Sequence, residues 1–146
     1  MAQVIQASLA EAGITVVINE RDSGTFATLG DQSTGDQWKD IQLLLNRFAM
    51  SPDPSYATEW FTPEQVGVWN WERFDNAEFG ELHAKAKSEK DPAKRAAMYE
   101  RMQNLMEESG AYVFLTHERI AYVNRDGLTP LLNPAGEPMY RRFRAA

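Results

Sequence analysis

Residues 40–54 read DIQLLLNRFAMSPDP. The run Ile41 to Leu45 is the most apolar in the chain. Its three consecutive leucines predict a strand, Ile41 to Phe48, covered on both faces as in a central parallel strand. The loop Asn46 to Pro54 follows it and ends in Ser51-Pro52-Asp53-Pro54, which neither continues a strand nor opens an ordinary helical turn. A buried strand that runs into a rigid loop is a common way for an α/β scaffold to present binding groups.

The residues before this stretch point the same way. Ala2 to Ala12 reads as a helix, with Ile5, Leu9 and Ala12 at helical spacing and Gly13 as its left-handed stop. Ile14 to Glu20 alternates, with Ile14, Val16 and Ile18 on one face, which predicts a half-covered strand. Helix, glycine, strand is the second half of a βαβ unit. Asp22 or Ser23 caps a short helix through Leu29, Gly30 ends it, and Asp31 to Gln37 is a polar loop.

Beyond the loop come Tyr56, Trp60, Phe61, Trp69, Trp71 and Phe74, without regular period and with three of the four tryptophans. Such a cluster is either a small core for a loop-rich region or a ring-lined ligand pocket. Asn76 caps a helix from Ala77 to about Lys87, with Phe79, Leu82 and Ala86 inward and His83 on the flank. Asp91-Pro92 starts a helix that runs to Ser109, with Met98, Met102, Leu105 and Met106 inward and Gly110 as the stop. Tyr112 to Leu115 and Ile120 to Val123 read as strand, interrupted at Thr116 to Arg119. The tail from Arg125 holds Gly127, Pro130, Pro134 and Gly136 and no clear element of its own.

The 146 residues suffice for one domain with a real core. Fifteen basic and 21 acidic residues leave a net charge of −6, with a pI near 4.9. That disfavours a nucleic-acid or anionic-membrane surface. No cysteine is present, so disulfides, thiolate catalysis and Cys-ligated zinc are excluded. No run reaches membrane-spanning length, and the start carries no basic and apolar signal segment. The opening in mid-helix and the unpartnered tail suggest a piece cut from a longer protein.

No phosphate-binding, nucleophile-elbow, zinc-protease or calcium-loop motif occurs. The two histidines lie far apart, so neither metal nor cofactor is expected. His117 with Glu118, in the strand break, is the one pair that could support an enzyme. The chain is read as a binding protein and not an enzyme.

Three segments carry a family resemblance: VIQASLAEAGITVVI (residues 4–18), DIQLLLNRFAMSPDP (residues 40–54) and the long run from WNWERFDNAEFGEL to AYVFL (residues 69–115). In order and spacing they resemble bacterial extracellular solute-binding proteins of the peptide/nickel/opine class (family 5), over nearly the whole chain. The resemblance implies an α/β, type II periplasmic-binding-protein-like lobe: a mixed sheet flanked by helices, with an extended C-terminal tail. Residues 1–124 would form the C-terminal lobe, and residues 125–146 would cross back to a second lobe. It implies periplasmic capture of a small solute, such as a peptide or an opine, for an ABC transporter permease, by lobe closure and without covalent chemistry. With one lobe alone, binding would be weak or absent.

In peptide-binding members a tryptophan stands six places before the aspartate of the Asp/Glu-Pro pair, and an amine-binding aspartate three places before it. Here those positions are Arg47 and Met50. Met50 offers no counter-charge for an ammonium group, so a free-amine peptide held in the usual way is disfavoured. Arg47 suits a carboxylate or phosphate, or else pairs with an acid such as Glu59. The expected cleft residues are Arg47, Phe48, Met50, Trp69, Asn70 and Trp71. The alternative is a stand-alone protein-interaction domain that uses the aromatic loops.

Overall fold

The computed structural model describes residues 1–48, 51–116 and 121–145. Its centre is a helical hairpin. Helix α4, Ala77–Ser88, and helix α5, Pro92–Ser109, are joined by three residues and pack against each other. So short a link returns the second helix along the first. Both starts follow the sequence signals. The Asn76 side chain accepts from the Phe79 N–H, and Asp91 accepts from the N–H groups of Ala93 and Lys94, ahead of Pro92 at the first helical position. Gly110 ends α5 with φ +67°, the left-handed conformation that glycine adopts without cost.

The core lies along this hairpin. Phe79 and Ala86 of α4 meet Tyr99, Met102, Leu105 and Met106 of α5, with Phe61 and Phe74 from the preceding region closing over them. Phe79 and Met102 are fully buried, each contributing about 1.5–3 kcal/mol of transfer free energy. His83 is buried on the same face rather than standing on the flank.

A third helix packs on α4. It is α3, Pro54–Glu59, capped by Asp53, whose carboxylate accepts from the Ser55 N–H. Asp53-Pro54 therefore opens a helix, as Asp91-Pro92 does, and the reading of this pair as loop is corrected. Proline lacks an N–H, but the first helical position has no use for one. The remaining helices are α1, Ala2–Glu11, and α2, Ser23–Phe26, the latter capped by Asp22. The polar loop after Gly30 holds two 3₁₀ turns, Gln32–Thr34 and Gln37–Asp40.

The α/β expectation fails. Among the described residues the only sheet is a two-residue antiparallel pairing of β1, Leu128–Thr129, with β2, Arg144–Ala145. The described residues are mostly helical and hold no mixed sheet flanked by helices, so the fold is not that of a periplasmic-binding-protein-like lobe. Residues 14–20, 41–48 and 112–115 form no ladder, although each was read as a strand. Part of the fourth segment, Ile120, lies outside the described residues, and the remainder, 121–123, is not strand either. The physical reason is pairing. Alternation specifies which face is apolar, but a strand also needs a neighbour within hydrogen-bonding distance along its length. Here part of the apolar surface stays in solvent: Ile14, on the face read as covered, is 51% exposed, and Leu43, read as covered on both sides, is 66% exposed, while Val16, Ile18 and Leu44 are half-buried. The C-terminal tail is not simply extended. It turns back so that Leu128 faces Ala145, and Asn124 donates to the Leu128 carbonyl at 2.7 Å.

Candidate functional site

The aromatic region between α3 and α4 builds both core and pocket. Its organiser is Asn70, which is fully buried. Its Nδ2 donates to the carbonyls of Phe61 at 3.2 Å, Thr62 at 3.3 Å and Phe74 at 2.7 Å. Its Oδ1 accepts from the Phe74 N–H at 2.9 Å. One amide thus ties together both ends of a loop that has no regular hydrogen bonding of its own. The sequence reading placed Asn70 in the ligand cleft, whereas the structure places it behind the pocket wall.

The wall is made of rings. Trp60 and Trp69 meet edge to face with centroids 4.9 Å apart, and Tyr56 abuts Trp60 at 5.8 Å. Phe26 meets Trp71 at 5.9 Å, and Phe48 meets Phe61 at 5.5 Å. The Trp71 indole N–H donates to the Val68 carbonyl at 2.8 Å, which fixes the ring's orientation. Gly30 lies against Trp71 so closely that a Cβ there would collide with the indole.

Between these rings is a pocket of about 310 Å³, lined by Phe26, Ala27, Asn46, Arg47, Phe48, Trp60, Trp69, Trp71 and Glu72. Of the expected cleft residues, Arg47, Phe48, Trp69 and Trp71 stand around this one concavity. Met50 lies outside the described residues, as do His117 and Glu118. Sequence reasoning missed Phe26 as a pocket residue; Trp60 belongs to the aromatic cluster read as either core or pocket, and it was not among the expected cleft residues. Phe26 lies in the short helix that Asp22 caps, and no local pattern reports that this helix faces a loop more than forty residues downstream.

The floor carries one constrained acid. Glu72 accepts from the Tyr112 hydroxyl at 3.2 Å. Burial, and then the Glu72 charge, push the Tyr112 hydroxyl above its ordinary range, so it stays a donor. Tyr112 also packs on Phe61 at 5.0 Å, which links the pocket floor to the core.

A second concavity, between α3 and α4, is lined by Glu59, Thr62, Glu64, Gln65, Gly80, His83, Ala84 and Lys87. His83 Nδ1 lies 2.9 Å from the Thr58 hydroxyl. Burial, then the nearby Lys87 charge, lower its pKa, against an opposing pull from Glu59 and Glu64. This makes His83 a neutral tie between the two helices at pH 7. Among the described residues no group of three or more His, Cys, Asp or Glu side chains is placed to hold a metal ion. No helix there is long and apolar enough to cross a membrane. No protein-family model, curated protein or solved structure matches the chain.

Proposed function

We propose that this chain binds a small solute in the ring-lined pocket and, as the family resemblance implies, captures it in the periplasm for an ABC importer. The observation that carries the reading is the convergence of Phe26, Arg47, Phe48, Trp60, Trp69 and Trp71 on one pocket. A volume of about 310 Å³ is at the lower end of the range used by small-molecule sites, which are mostly apolar with few polar anchors. The rings suit a flat or apolar body, and Arg47 suits a carboxylate on it. The acidic net charge and the absence of a basic field argue against nucleic acid.

The test is two-dimensional NMR of the four tryptophan indole groups during titration with dipeptides, opine-type amino diacids and aromatic carboxylates. Saturable shifts of Trp60, Trp69 and Trp71 are expected, with weak affinity. Trp69→Ala is expected to weaken binding about tenfold, which is about 1.4 kcal/mol. The reading fails if no member of the panel moves the three pocket indoles, or if Trp69→Ala leaves the response unchanged.

A second reading, a protein-interaction domain, is favoured by the exposed apolar segments that form no ladder, with Val113 at 77% and Val123 at 98% exposed. It predicts that bound partner protects amides in residues 14–20 and 112–116 while the pocket indoles stay still.

A further inference from the structure

Arg73 holds its guanidinium in an unusual position. The two terminal nitrogens, Nη1 and Nη2, are enclosed, and neither has a hydrogen-bond partner. Their four N–H groups are donors, and an arginine cannot shed its charge to relieve the burial. The guanidinium carbon sits 3.5 Å from the centroid of the Trp38 ring. The ring face offsets part of the lost hydration but accepts none of the in-plane hydrogen bonds. Nearby acids do not complete the site. Glu72 accepts from the Tyr112 hydroxyl and not from Arg73, and Asp75 is exposed.

The backbone adds a second, independent anomaly. Arg73 has φ +56°, and it is the one non-glycine residue with positive φ among the described residues. That conformation is costly for a side chain with a Cβ and persists only where its surroundings hold it. Here it is held by the Asn70 carbonyl, which accepts from the Arg73 N–H at 3.3 Å, and by the flanking Phe74 tied to the Asn70 side chain. The roof is built differently. Trp38 belongs to a 3₁₀ turn of four residues, Gln37–Asp40, whose cap makes no side-chain hydrogen bond. Lys39, paired with Asp36 at 2.8 Å, holds its ammonium 5.5 Å from the centre of the same ring. A rigidly held cation lacking its acceptors thus lies beneath a ring carried by a short 3₁₀ turn.

We propose that Arg73 is a receptor for a carboxylate group, closed over by Trp38 when no carboxylate is bound. The indole takes one face of the guanidinium, and the edge that carries Nη1 and Nη2, enclosed in this arrangement, is the part a ligand would engage. A planar carboxylate matches that edge with two parallel N–H···O bonds. Binding requires the Gln37–Asp40 turn to lift, because the nitrogens are covered while the indole is in place. The site shares no residue with the ring-lined pocket and does not depend on that pocket having a ligand.

The experiment follows the Arg73 guanidinium N–H and the Trp38 indole N–H by NMR at constant ionic strength, titrating sodium acetate, sodium phosphate or sodium chloride. Acetate is expected to move both signals saturably, and chloride to move neither. Arg73→Gln is expected to abolish the Trp38 response while the spectrum of α4 and α5 stays in place. Arg73→Lys, which keeps the charge and loses the fork, is expected to bind about tenfold more weakly or worse. Trp38→Ala is expected to keep the Arg73 response and to strengthen binding, because no roof has to be displaced. The proposal is overturned if acetate leaves the Arg73 signals unmoved, if phosphate binds and acetate does not, or if the Trp38 response survives in Arg73→Gln. Because the readouts are Arg73 and Trp38, failure here is distinct from failure at Trp60, Trp69 and Trp71.

Discussion

At the scale of single residues, Asn70 and Gly30 decide whether the aromatic region has a shape. Asn70→Ala removes a buried amide that serves three carbonyls and one N–H. A loss of roughly 2–4 kcal/mol is expected, measured by urea unfolding, because the abandoned groups stay buried. Asn70→Asp should be similarly poor, since it replaces a donor among carbonyls with an acceptor. Gly30→Ala acts on the pocket and not on the hairpin: a methyl group displaces Trp71. It should alter the Trp71 indole signal and weaken solute binding, and an unchanged Trp71 environment would contradict the packing described. Both residues stood in the sequence with recognisable roles, Gly30 as a helix stop and Asn70 as a cleft residue. Their real work was not legible, because it depends on partners brought near only by the folded chain.

At the scale of elements, Arg95 of α5 joins all three packed helices. Its Nε donates to the Ala86 carbonyl at 3.0 Å, and its Nη2 reaches the Asp53 carboxylate at 2.9 and 3.0 Å. Hydrogen bonds from Ser55, then from Arg95, lower the Asp53 pKa from 3.8 to about 2. A carboxylate with a depressed folded pKa stabilises the fold above its unfolded value and loses that contribution as pH falls through the folded value. Stability should therefore fall between pH 3.8 and about 2, and less steeply in Asp53→Asn, as followed by far-UV circular dichroism. The side chains are partly exposed, so screening by salt should shrink the effect. His83 has the opposite charge and the same direction of shift. Its pKa is lowered below 6.5 by burial, so the unfolded chain binds the proton more readily and stability declines as pH drops below 6.5. His83→Gln should remove that part of the pH dependence while keeping a partner for Thr58. In the core of the hairpin, Met102→Ala should cost about 2–5 kcal/mol through the cavity it leaves.

At the scale of the molecule, order is uneven. The apolar clustering is concentrated in α4, α5 and the aromatic region that closes over them, while residues 14–20 and 41–48 form no ladder. Native-state hydrogen exchange should show the strongest protection in α4 and α5 and little in those two segments. Equal protection across them would mean that the segments are paired in solution. Their exposed valines and leucines should also bind a hydrophobic dye, and a solute or partner that covers them should reduce the signal.

The sequence by itself determined the helices whose signals are local. Asn76, Asp91-Pro92 and Gly110 act within a few residues through caps, a fixed φ and a left-handed stop, so α4 and α5 could be placed almost to the residue. It also determined the apolar stripes and the aromatic residues available for a pocket. Only the tertiary structure decided that the apolar runs form no ladder among the described residues, because a ladder needs a neighbour that alternation cannot name. Only the tertiary structure set Phe26 and Trp60 beside Trp69 and Trp71, turned Asn70 inward, and left the Arg73 guanidinium beneath Trp38 without an acceptor. Those outcomes depend on residues far apart in the chain, where hydrogen-bond satisfaction and ring packing are settled by the whole fold.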